Sequence, residues 1–148
     1  MKKIGIIGGL GPESTIDYYR LIIDSSQKAQ INENYPEMII YSLNINEVSD
    51  MMEAEQWDKL IDLLANAIKL ISKAEADFAV IAANTPHIVF DEVKTLSPIP
   101  MLSIVEETCK VIKTLDLKKV GLDEFGIPFL NTSKIHAESA VKYCLSET

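Results

Sequence analysis

The chain has 148 residues, 47% of them hydrophobic and 24% charged, and a formal net charge of −8. That length suits one domain with a sizeable core, and that balance is ordinary for a globular protein in water. The acidic excess argues against a nucleic-acid partner, which needs a basic patch, and the first apolar run stops at Gly8-Gly9, too early for a signal peptide or a membrane span, so a cytoplasmic location is expected.

Residues 2–9 (KKIGIIGG) are a short apolar run ending in glycines and predict a strand. A helix is predicted over 12–29, with Pro12 suited to its first position and Glu13 to the positive end of its dipole. Residues 37–45 (EMIIYSLNI) predict a second strand, and Asn44 to Glu47 a loop. Over 55–74, Trp57, Leu60, Ile61, Leu64, Ile68 and Ile71 recur on one helical face. Residues 78–83 (FAVIAA) predict a third strand, followed by a helix from about Pro86. Then come a short fourth strand at 99–102 (IPML) and a helix over 105–115. Strands are predicted at 118–122 (KKVGL) and 127–131 (IPFLN), and a closing helix over 133–145.

Strands separated by amphipathic helices imply an α/β fold, a parallel sheet flanked by helices on both faces. Such sheets bind ligands outside the carboxyl ends of their strands. Four loops fall on that edge: Gly8 to Gly11, Asn44 to Glu47, Asn84 to His87 and Asn131 to His136. One join is anomalous. Only Asp123, Glu124, Phe125 and Gly126 separate the strands at 118–122 and 127–131, and a parallel crossover needs roughly a dozen residues. Either the two strands form a hairpin or a segment ordinarily found between them is missing.

The glycine turn lets backbone approach a ligand, and the helix behind it offers free N–H groups to an anion. As a dinucleotide fingerprint, Gly9-Leu10-Gly11-x-x-Ser14 is half a match, and Ser42-Leu43-Asn44 lacks the acidic residue that grips a ribose. A carboxylate or small anion fits better, with a purely structural turn as the alternative. Asn84 and Thr85 either cap the helix through Pro86 or face a ligand. His87 and His136 stand near helix starts, where a packing role competes with acid/base chemistry. The pair Asp91-Glu92 reads as a solvated helix face. Cys109 shares a helical stripe with Val105 and Ile112, and Cys144 shares one with Val141, so both are expected in the core. Neither has metal-ligand or redox-motif spacing, so no metal site and no disulfide is expected.

Three segments, MKKIGIIGGLGPESTIDYYRLI, VIAANTPHIVFDEV and GIPFLNTSKIHAESAVKYCL, resemble the aspartate/glutamate racemase superfamily, in family order and over almost the whole chain. The nearest branch is that of aspartate racemases and broad-specificity amino-acid racemases. The resemblance implies a cofactor-independent isomerase with two α/β lobes related by a pseudo-twofold and a small amino-acid or carboxylate ligand between them. Racemisation needs an acid/base group on each side of Cα. The family usually supplies a cysteine from each lobe, in "CNT" and "GCTE"-like segments, and a subset has threonine in the first. Here that segment is Ala83-Asn84-Thr85, which makes Thr85 the implied catalytic residue. Asn84 and the Leu10-Gly11 turn are the implied substrate contacts, with Pro86, His87 and His136 in the pocket wall.

No "GCTE"-like segment occurs in this chain. The implied organisation is a single domain: residues 1–122 form a first lobe with the start of the lobe connection, and 123–148 form a strand and helix folding back on it. Half a cleft implies weak or no racemisation by an isolated chain. The alternative is a non-catalytic remnant or small carboxylate-binding module that self-associates, and in a homodimer Thr85 would face its symmetry mate. A flavodoxin-like nucleotide binder, suggested by the glycine turn and topology alone, is a third reading.

Overall fold

A computed structural model describes residues 1–29, 35–114 and 131–146. The elements are β1 (Ile4–Gly8), α1 (Pro12–Lys28), β2 (Met38–Ser42), α2 (Ile45–Glu53), α3 (Trp57–Lys73), β3 (Phe78–Ile81), a 3₁₀ turn (Thr85–Val89), α4 (Phe90–Leu96), β4 (Met101–Leu102), α5 (Ile104–Thr114) and α6 (Thr132–Leu145). The strand predicted at 118–122, the short join after it, and all but the last residue of the strand predicted at 127–131 lie outside the described residues.

The strands form one parallel sheet in the order β2-β1-β3-β4. Ile4 pairs with Met38 on one side and Phe78 on the other, which aligns the carboxyl ends of the three strands. Because β1 and β3 are central, they are buried along their whole length. Such strands read as continuous apolar runs rather than alternating ones.

Successive side chains still point to opposite faces. Ile4, Ile6, Phe78 and Val80 share a core with Tyr18 and Ile22 of α1, Ile104 of α5, and Ala137, Ala140 and Val141 of α6. Ile7, Ala79 and Ile81 share the other with Val48 of α2, Leu60, Leu64 and Ile68 of α3, and Val93 of α4. The expected stripe on α3 is present, with Trp57 and Ile61 only partly buried at its margin. Helix α6 packs on α1 and α5. Its end is tied to the first strand, since the Lys2 N–H donates to the Cys144 carbonyl at 2.9 Å and the Cys144 thiol donates to the Lys2 carbonyl at 2.8 Å. No helix among the described residues is long and apolar enough to cross a membrane.

Two expectations are corrected. Residues 45–47, expected as a strand end and a loop, begin a helix that runs to Glu53. Cys109 is exposed, as is Val105. Helix α5 buries Ile104 and Thr108 instead, so its inward face lies one position before the expected stripe.

Candidate functional site at the carboxyl edge

The turn after β1 is locked from two sides. The Gly9 N–H donates to Thr15 Oγ1 at 2.9 Å, and the Leu43 N–H donates to the Gly8 carbonyl at 2.9 Å. Gly9 sits at φ 79°, and a Cβ there would collide with the Leu43 carbonyl oxygen, so both conformation and space demand glycine. Ser14 Oγ donates to the Ala82 carbonyl at 2.7 Å, joining the start of α1 to the end of β3. The loops after β1, β2 and β3 are thus held together by hydrogen bonds rather than by proximity alone.

In the segment after β3, Asn84 has αR backbone geometry and its side chain makes no capping bond. The capping reading of its amide therefore fails, and Asn84 and Thr85 are both exposed. Pro86 is buried, as befits a ring at the start of a short helix.

His87 is committed to structure. Its Nδ1 lies 2.8 Å from the Ala83 carbonyl, and its Nε2 accepts from the Ile104 N–H at 3.2 Å. A carbonyl can only accept, so Nδ1 carries the proton and the ring is neutral. Burial lowers its pKa, opposed by the backbone hydrogen bonds. The ring stacks on Phe90 at 4.9 Å.

His136 does not line the pocket that holds Thr85. It is fully buried, not in a pocket wall as expected. Its Nε2 donates to the Leu102 carbonyl at 2.9 Å, which leaves Nδ1 to accept from Tyr18 Oη at 2.8 Å. Burial pushes its pKa down to about 4 and raises that of Tyr18. The residue pins α6 to β4 and α1.

A pocket of about 270 Å³ opens beside these loops. Leu10, Thr85 and Pro86 form one wall; Ile45, Val48, Ser49, Met52 and Glu53 of α2 form the other. Three expected site residues are therefore brought together. Gly11, Asn84 and His87 border the same loops but do not line the pocket, and His136 is apart. The α2 wall is the part that sequence reasoning missed. Its signal was present: Asn44 caps the helix by accepting from the Asn46 N–H at 3.1 Å, Glu47 follows in the first turn, and Ile45, Val48 and Met52 recur at helical spacing.

Comparison with known proteins gives this geometry a family. The model of the Asp/Glu/hydantoin racemases matches residues 7–140. The chain belongs to that family. The broad-specificity amino-acid racemase RacX of Bacillus subtilis (strain 168) is 37% identical over 113 residues, covering 74% of this chain and 48% of RacX. An aspartate racemase homologue from Pyrococcus horikoshii OT3 is 42% identical with a TM-score of 0.73, covering 81% of this chain and 52% of that one. The chain thus spans about half the length of these two relatives. The fold also matches a candidate Asp/Glu racemase from Yersinia pestis, with a TM-score of 0.89 at 21% identity over 99% of this chain and 100% of that one.

For an Asp/Glu racemase family member, the placement of the cysteines matters. Cys144 is bonded to Lys2, which precedes β1, and so lies at the opposite end of the sheet from Thr85. Cys109 is exposed on α5. Neither lines the pocket that holds Thr85.

Proposed function

We propose that the chain is an aspartate-type lobe of a cofactor-independent amino-acid racemase, with Thr85 as the acid/base group on one face of the substrate Cα. The observation that carries this reading is the shared pocket of Leu10, Thr85 and Pro86 at the carboxyl edge of the sheet, in a chain of the racemase family. Asn84 supplies a side-chain amide that makes no capping bond, and the backbone of the Leu10-Gly11 turn supplies N–H groups at the start of α1 for a carboxylate. Helix α6 packs against α1 and α5, which supports its closing the same lobe.

Racemisation breaks the Cα–H bond, leaves the electron pair delocalised into the carboxylate, and returns a proton to the opposite face. One hydroxyl serves one face. With both cysteines away from the pocket and the nitrogens of His87 engaged, the second group comes from another lobe. The reading favoured here is a homodimer in which two pockets face each other. Supporting it are two exposed apolar residues beside the bonded pair His87 and Ile104: Ile88 at 63% and Val105 at 55% exposure.

The test is proton exchange in D₂O with pure protein and a panel of L-amino acids. Label at Cα with the D isomer accumulating is expected, falling at least a hundredfold in Thr85→Ala and recovering in part in Thr85→Ser. Label without inversion would mean a single working face. No label with any amino acid would leave the alternative, a carboxylate-binding module without chemistry.

A further inference from the structure

Thr85 can serve one face of a substrate only if its hydroxyl is held in one place. Asn84 and Thr85 are both exposed, so the direction of that hydroxyl follows from the backbone beneath it. Towards α1 that backbone is held by Ser14, whose Oγ donates to the Ala82 carbonyl at 2.7 Å. Towards β4 it is held by His87. The His87 N–H donates to the Asn84 carbonyl at 3.0 Å, and its Nδ1–H donates to the Ala83 carbonyl at 2.8 Å. Both carbonyls just ahead of Thr85 are therefore fixed by the residue two positions after it.

The far side of the ring is anchored in turn. Its Nε2 accepts from the N–H of Ile104, the first residue of α5, at 3.2 Å. Ser103 Oγ caps the same helix by accepting from the Glu106 N–H at 3.3 Å, and the Leu102 carbonyl accepts from His136. Phe90, 3% exposed, stacks against the ring with the two planes 2° apart. His87 thus spans the loops after the neighbouring strands β3 and β4, bonded at both ends and stacked in the middle. A second proton would sit on Nε2, facing the Ile104 N–H and the positive end of α5, so the neutral ring is the form that fits.

Building on the racemase reading, we infer that His87 is a positioning residue for the proton transfer: held between the start of α5 and the Ala83 carbonyl, its ring fixes the peptide that aims Thr85 at the substrate. It does not line the pocket and touches no reacting atom. Its effect is on geometry, and an error of about 1 Å in the place of an acid/base group can cost on the order of a hundredfold in rate. Substrate binding by the rest of the pocket wall depends on it far less.

The test compares three variants. His87→Leu keeps an apolar group against Phe90 and loses both ring bonds. His87→Asn has an amide that can still donate to Ala83, and His87→Gln has a longer one that can still accept from Ile104. Each is assayed for Cα deuterium incorporation, with kcat and KM separated, and by NMR of protein carrying labelled threonine methyl groups. In His87→Leu, kcat is expected to fall on the order of a hundredfold with little change in KM; His87→Asn should recover roughly tenfold of that and His87→Gln should not. The Thr85 methyl resonance should move in His87→Leu and His87→Gln and return in His87→Asn, while those of Thr15 on α1 and Thr95 on α4 stay in place and report an intact fold. An unchanged kcat or an unmoved Thr85 methyl in His87→Leu would overturn the inference, as would equal recovery by His87→Asn and His87→Gln. Should His87→Leu not fold, the two amide variants against wild type decide in the same way. If the wild-type chain incorporates no label, the racemase reading fails and the methyl pattern decides alone: the expected pattern sustains His87 as the residue that fixes Thr85, and an unmoved methyl overturns it.

Discussion

His136 carries a pH dependence that can be worked out from its surroundings. Its pKa is about 4 in the fold against an ordinary 6.5, because burial excludes the charged ring. As pH falls the unfolded chain binds the proton first. The contribution of this residue is therefore intact above pH 6.5 and drains away between 6.5 and about 4, a loss on the order of 3 kcal/mol. Burial of His87 acts in the same direction. Urea midpoints should fall as pH is lowered from about 7 to about 5, and His136→Gln should flatten that slope. The same variant should cost about 1–3 kcal/mol at neutral pH, since it disturbs buried bonds to Tyr18 and Leu102. A slope unchanged in the variant would assign the acid sensitivity elsewhere.

Among the elements, α2 and α5 show how a helix can be present in a sequence and still be misread. After the apolar residues Met38 to Tyr41, Leu43 and Ile45 alternate with Ser42 and Asn44 as in a strand, although Ile45 is the first residue of a helix. The cap at Asn44 was the better signal, because an Asn side chain that accepts from the chain two residues on ends a strand and begins a helix. On α5, the apolar positions Val105, Cys109 and Ile112 hold a helical period, yet the buried face is the one with Ile104 and Thr108. Periodicity finds a stripe but does not say which of two adjacent stripes meets the sheet. The thiols report this directly. In the folded protein, a disulfide reagent should modify Cys109 promptly, while Cys144, at 1% exposure and with burial raising its pKa, should react only after denaturant is added. Prompt reaction of both thiols would mean that α6 is not docked as described.

At the scale of the whole molecule, one sheet edge gathers the loops that matter, and the exposed Ile88 and Val105 stand beside it. Sedimentation at high micromolar concentration should show a dimer, and Ile88→Glu with Val105→Glu should return it to monomer without unfolding it. A monomeric wild-type chain would oppose the twofold arrangement of pockets.

The alternation of strands and helices, the parallel sheet, its carboxyl edge and the Thr85 segment were all legible in the chain by itself. They depend on local periods and on residues adjacent in sequence, such as the apolar runs of β1 and β3 and the glycines of the first turn. Tertiary structure alone decided that His136 is a core pin, that Cys109 faces out and that α2 supplies half the pocket. Each of these depends on which surfaces meet across the sheet: Tyr18, Leu102 and His136 are far apart in sequence and share hydrogen bonds only because α1, β4 and α6 pack on one face.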